Sequence, residues 1–185
     1  LSGLGIVHSA TNFVKTMSLG PQDCTIVVVP MNHVTGLVAG IHTLVRCGGR
    51  VVIMREFKAE KFLERAASEG MSYSLMVPAM YNLCLHQADL SRYDLSKWRV
   101  GGYGGAPMPA ATISRLADAL PGLGLMNAYG ATETTSPATV MPADQTAQRR
   151  LSVGRPVPGA EICVMDEQGC EQPPGTTGEL WIRGA

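Results

Sequence analysis

Leu125 to Pro137 reads LMNAYGATETTSP. The apolar Leu123 and Leu125 mark the end of a buried strand, so the loop that follows emerges at a sheet's carboxyl edge. Open α/β sheets bind ligands at that edge. Tyr129 offers a flat ring for stacking on a base. Gly130 allows close backbone approach. The Thr132 hydroxyl can donate to a phosphate oxygen. The Glu133 carboxylate can hold a hard cation such as Mg²⁺. The competing reading makes Thr132 and Glu133 a helix-capping pair.

Outward from this stretch, apolar β-rich runs recur roughly every 25 residues, the cadence of repeated βαβ units. They are Thr25 to Val29, Arg50 to Met54, Tyr73 to Val77, Trp98 to Tyr103 and Leu123 to Met126. Helical patterns lie between them. Ala59 to Glu69 places Phe62, Leu63, Ala66 and Ala67 on one face. Ala110 to Leu120 repeats apolar residues and stops at Pro121-Gly122. Thr35 to Arg46 is apolar nearly all round, which predicts a buried helix. Ala79 to His86 follows Pro78 as a shorter one. Strands this apolar suit a sheet covered on both faces, hence a mostly parallel one.

The pattern changes after Pro137. Residues 138–151 are polar and aperiodic and read as a surface loop or linker. Beyond them, Ala160 to Asp166 and Gly178 to Arg183 read as strands with no helix between. The expected organisation is therefore an α/β subdomain over 1–137, a linker over 138–151 and the start of a small β-rich subdomain over 152–185.

Composition supports a packed core: 45% of the 185 residues are hydrophobic and 16% charged. The formal net charge is +0, which gives no sign of a nucleic-acid or membrane-surface partner. Arg149 and Arg150 read as part of a solvated loop. The five cysteines form no C-x-x-C pair, which predicts reduced thiols and a cytoplasmic protein. Val34 to Val45 is too short to span a bilayer. The chain lacks an initial Met and is expected to be an excerpt of something longer.

Two further stretches carry candidate chemistry. Gly101-Gly102-Tyr103-Gly104-Gly105-Ala106-Pro107 follows a strand and precedes a helix, so a planar ligand or phosphate can lie against bare backbone. A tight turn that binds nothing is the alternative. The register of a dinucleotide fingerprint is absent. Pro30-Met31-Asn32-His33 follows the first strand, and His33 can line a pocket or transfer a proton. Met31, Met76, Met80 and Met126 fall near strand ends and read best as core filling.

In order along the chain stand PMNHVTGL (Pro30 to Leu37), GGAPMP (Gly104 to Pro109), YGATE (Tyr129 to Glu133), SVGRPVPGAEICVMD (Ser152 to Asp166) and GELWIRG (Gly178 to Gly184). Together they resemble successive core motifs of the adenylate-forming enzymes: acyl- and aryl-CoA synthetases, peptide-synthetase adenylation domains and luciferases. The resemblance implies that Tyr129 stacks on adenine, with Asn127, Ala128 and Gly130 beside it. Gly104, Gly105 and Ala106 would lie against the nucleotide, Thr132 would hold the α-phosphate and Glu133 the Mg²⁺. His33, Val77, Tyr103 and Gly104 would border the acid. The implied reaction uses ATP to form acyl-AMP and pyrophosphate, and CoA then displaces AMP.

The chain departs from that pattern. Gly5 to Ser9 matches the tail of the family's phosphate loop, but Leu4 stands where the loop's lysine belongs. The ribose-binding Asp and the C-terminal catalytic lysine lie outside these residues, so the isolated chain is expected to be inactive. The family's amino-acid activators place an Asp in the segment corresponding to Pro30 to Leu37, and this chain has no acid there. That favours a plain carboxylic acid over an amino acid. The remaining alternative is a non-catalytic nucleotide-binding module.

Overall fold

The computed structural model describes all 185 residues. Five parallel strands form the sheet's main body: β1 (Cys24–Val27), β2 (Arg50–Ile53), β3 (Tyr73–Met76), β4 (Val100–Tyr103) and β5 (Gly124–Tyr129). Two short strands extend it: β6 (Thr139–Val140) adds antiparallel to β5, and β7 (Arg155–Pro156) adds antiparallel to β6. The full order is β2-β1-β3-β4-β5-β6-β7. A separate antiparallel pair, β8 (Glu161–Met165) and β9 (Glu179–Arg183), follows. This is the mostly parallel α/β sheet with a small β unit that the apolar runs predict. No helix is long and apolar enough to cross a membrane.

Helices cover both faces because both faces are apolar. On one face lie α3 (Ala59–Glu69), α4 (Pro78–Gln87) and α5 (Ala110–Ala119). Phe62, Leu63 and Ala66 of α3 turn inward, as the 3.6-residue period requires. They pack with Met76, Tyr81, Trp98, Tyr103 and Leu116. On the other face, α1 (Gly3–Thr16) and α2 (Thr43–Cys47) cover Tyr73, Val100 and Met126 with Phe13, Met17 and Leu44. The alternation along β4 is visible in its ends: Val100 enters one core and Tyr103 the other.

Two readings of local structure change. The predicted helix Thr35 to Arg46 is a π-helix over Thr35–His42 that becomes α-helical only at Thr43. The Thr43 hydroxyl donates to the Val38 carbonyl, five residues back, at 2.8 Å, which suits the wider turn. Periodicity cannot distinguish the two helix types in a segment apolar on every side. Residues 138–151 are also more ordered than their polarity suggests. They contribute β6 and a short helix, α6 (Ala143–Thr146), and Thr139, Val140, Met141 and Thr146 are buried. Buried hydroxyls satisfied by carbonyls explain the mismatch: Thr139 donates to Val153 O at 2.6 Å and Thr146 to Leu125 O at 2.7 Å. Met76, Met80 and Met126 are core residues, while Met31 is exposed. All five cysteines are free, and Cys24 and Cys84 are buried; burial pushes the Cys84 thiol up to about 12.

Candidate functional site

Three loops converge where β1, β4 and β5 end. The first is Pro30 to Thr35, the second Gly104 to Pro107, the third Tyr129 to Ser136. They enclose a cleft of ≈ 240 Å³ that brings together His33, Gly104, Gly105, Ala128, Gly130 and Thr132. Its apolar floor is Phe13, Val34, Ala39 and Leu75, and no acidic side chain lines it.

Gly104 is required by proximity. A Cβ there would lie 2.5 Å from the Ala128 carbonyl oxygen, closer than any side chain tolerates. Gly105 turns the chain with φ +77°, a conformation that suits glycine. The other two glycines of the run do different work. Gly101 and Gly102 are buried within β4. A Cβ at Gly101 would meet the Tyr81 hydroxyl at 3.2 Å, and one at Gly102 would meet Leu75 Cδ1 at 3.2 Å. Only Gly104 and Gly105 therefore offer bare backbone to a ligand.

His33 is exposed, and its Nδ1 accepts from the Thr35 backbone N–H at 3.2 Å. That bond requires an unprotonated Nδ1, so the neutral ring carries its proton on Nε2. The same nitrogen lies 3.0 Å from Thr35 Oγ1. His33 thus anchors the start of the π-helix through one nitrogen and keeps Nε2–H as a donor.

The Tyr129 to Ser136 loop contains no helix, so the capping reading of Thr132 and Glu133 falls. The hydroxyl that holds the turn belongs to Thr134, which accepts from Ala131 N at 3.1 Å and donates to Ala131 O at 3.0 Å. Thr132 and Glu133 are both exposed, and neither side chain has a partner within the chain. Thr135 and Ser136 adopt left-handed backbone, with φ 57° and 35°. Non-glycine residues adopt it rarely, and such strain concentrates at functional sites.

A second cleft, ≈ 360 Å³, adjoins the first and shares Gly105, Ala128 and Gly130 with it. Ala106, Pro107, Asn127 and Tyr129 line one part, and Arg150 to Val153 line another. Tyr129 is 38% exposed. A third cleft, ≈ 310 Å³, holds Glu133 with His8, Ser9, Asn12 and Arg183. Thr132 and Glu133 therefore face different clefts. Val77 stands beside Gly105, its Cγ1 3.7 Å from where a Cβ would sit, and is exposed. Tyr103 is the exception among the predicted residues. Its side chain is 2% exposed in the α3–α5 core and lines none of these clefts. An odd-numbered step along β4 turns it away from the face that Leu75 shares with the site.

A family model described as "AMP-binding enzyme" matches residues 3–185. The chain belongs to the AMP-binding enzymes. Among curated relatives, it is 34% identical to the mitochondrial medium-chain acyl-CoA ligase of Macaca fascicularis over 192 aligned residues, covering 100% of this chain and 31% of that one. It is 37% identical to a plipastatin synthase from Bacillus subtilis over 121 residues, which covers 63% of this chain and 5% of that one. A solved putative long-chain-fatty-acid CoA ligase from Rhodopseudomonas palustris superposes with a TM-score of 0.87 at 26% identity, covering 97% of this chain and 44% of that one. This AMP-binding chain thus spans about a third of the ligases' length. The adenylate-forming reading of the motifs holds at the level of the family, whose name implies use of ATP.

Proposed function

We propose that this chain is the nucleotide- and acid-binding core of an ATP-dependent carboxylic acid:CoA ligase. A substrate carboxylate oxygen attacks the α-phosphorus of ATP, the bond to the β-phosphate breaks, and acyl-AMP and pyrophosphate form. The CoA sulfur then attacks the acyl carbon, and AMP leaves with the bonding electrons. Two anions must meet in the first step, so the protein's contribution is positioned donors and charge.

One observation carries this reading: the ≈ 240 Å³ cleft unites His33, Gly104, Gly105 and Thr132 over an apolar floor. His33 Nε2–H and the Thr132 hydroxyl are donors this cleft offers to acid and phosphate, beside the Thr35 and Ser136 hydroxyls in the same lining. Tyr129, in the adjoining cleft, stacks on the base. Glu133 fits a Mg²⁺ ion because its carboxylate is exposed and unpartnered. The Glu133 carboxylate would supply the protein's oxygen ligand to such an ion. Bound there, the ion would neutralise phosphate charge.

The absence of an acid in the cleft directs substrate choice. A buried α-ammonium without a counter-charge costs at least several kcal/mol, or more than about a thousandfold in rate. Fatty or aromatic acids are therefore the expected substrates, and the amino-acid-activating alternative is disfavoured. The test is carboxylate-dependent pyrophosphate release by the full-length ligase with a panel of acids and amino acids. An amino acid as best substrate overturns the proposal. The 185-residue chain alone is expected to release none, since Leu4 brings no charge to the phosphates.

A further inference from the structure

A π-helix is a rare form that appears frequently at functional sites. Here it forms a wall of the ≈ 240 Å³ cleft, which Thr35 and Ala39 both line beside Leu75 of β3. Three features hold this wall in its wide register. The first is Thr43. Its backbone N–H and its hydroxyl both bond the Val38 carbonyl, five residues back, the hydroxyl at 2.8 Å. Threonine hydroxyls in α-helices bond carbonyls three or four residues back, so this bond favours the wider turn. The second is Tyr73 of β3, whose hydroxyl donates to the Ala39 carbonyl at 3.1 Å. Val38, Ala39, Thr43 and Tyr73 are all buried, so no water stands in for either hydroxyl. Burial also raises the Tyr73 pKa, which keeps that hydroxyl protonated as a donor. The third is glycine. A Cβ on Gly40 would lie 2.8 Å from Val27 Cγ2, and one on Gly36 would run into the Pro30 carbonyl. Rotating the helix would bring a side chain into that contact with β1.

We propose that Tyr73 and Thr43 are positioning residues for the acid: their hydroxyls keep the wall π-helical, and that register sets where Thr35, Ala39 and His33 stand in the cleft. Neither Tyr73 nor Thr43 lines the cleft itself, so both act through the helix. Without the hydroxyls the segment relaxes toward an α-helix, and Thr35 and Ala39 turn relative to Leu75. The proposal rests on the acid-binding reading above and adds to it the residues that shape the acid's seat.

The experiment measures KM for the acid, KM for ATP and kcat in pyrophosphate release by the full-length ligase. Tyr73→Phe and Thr43→Val should each raise KM for the acid about three- to tenfold, one lost hydrogen bond expressed as affinity. KM for ATP should not change, because the wall is not part of the Gly104 to Pro107 turn or the Tyr129 loop. Thr43→Ser keeps the hydroxyl and should match wild type. Thr146→Val is the control. It removes an equally buried hydroxyl, bonded to Leu125 O at 2.7 Å, from a residue that lines none of the three clefts. It should lower stability and leave both KM values alone. An unchanged acid KM in Tyr73→Phe or in Thr43→Val overturns the proposal. So does an equal rise in the acid and ATP values, which would indicate general loosening. Thr43→Ser behaving as Thr43→Val would assign the effect to packing and overturn it too. A wild-type ligase that releases no pyrophosphate with any acid would overturn the acid-binding reading itself, a distinct result.

Discussion

The two ends of the parallel sheet are built on opposite principles. At the amino edge, Asp23 is 1% exposed and fully engaged. Its carboxylate accepts from Gly20 N at 2.8 Å, Ser72 Oγ at 2.6 Å and Arg99 Nη2 at 2.7 Å. Ser72 in turn accepts from Cys24 N at 3.0 Å. These bonds lace together the starts of β1, β3 and β4. At the carboxyl edge, Thr132, Glu133 and Tyr129 make no side-chain bonds within the chain. Charge satisfied internally holds the fold, and charge left unsatisfied is available to a ligand.

That contrast can be broken first at Asp23. Asp23→Ala leaves the Arg99 guanidinium and Ser72 without their acceptor. Arg99 is 39% exposed, so water compensates part of the loss. We expect about 2–4 kcal/mol of lost stability, measured by denaturant unfolding, with the specific activity of folded ligase near normal. A fall in activity without a fall in stability would refute the division of labour.

Glu133→Gln is the mirror experiment. It keeps shape and removes charge, and the adenylation rate should fall about a hundredfold, equivalent to about 2.7 kcal/mol. Tm should hardly move, because the side chain has no partner to lose. Early melting with intact turnover would make Glu133 structural.

Within one loop the contrast sharpens between neighbouring threonines. Thr134→Val removes the hydroxyl that bridges Ala131 N and O, and should cost about 1 kcal/mol. Thr132→Val should leave stability unchanged and lower the adenylation rate. Identical behaviour of the two variants would contradict the assignment.

The smallest effect concerns pH. Burial raises the Asp23 pKa, but hydrogen bonds from Ser72, Arg99 and Gly20, together with the Arg99 charge, outweigh it and leave it lowered. A carboxyl depressed in the folded state contributes stability above its unfolded pKa, and the contribution disappears as pH falls through the folded value. The stability gap between wild type and Asp23→Asn should therefore be constant above about pH 5 and shrink below about pH 4. A gap that widens in acid would reverse the sign.

Much of this was legible in the sequence because local chemistry repeats it. Helix α3 has the bounds its amphipathic period predicts, Ala59–Glu69. The β5 loop emerges at the sheet's carboxyl edge, as Leu123 and Leu125 before Tyr129 imply. The sequence determined residue types and periods: which segments are apolar on both faces, where glycine interrupts, and which loops carry Tyr129, Thr132, Glu133 and His33. Tertiary structure alone decided what each group faces. It turned Tyr103 into a core, gave Gly101 and Gly102 to Tyr81 and Leu75, and paired the polar 138–151 segment with β5. It also brought Arg150 into the lining of the Tyr129 cleft, where sequence reading saw only a solvated loop. The physical reason is that burial and hydrogen-bond partnership are set by residues distant in the chain. Arg99 meets Asp23 across 76 positions, and no local pattern encodes that meeting.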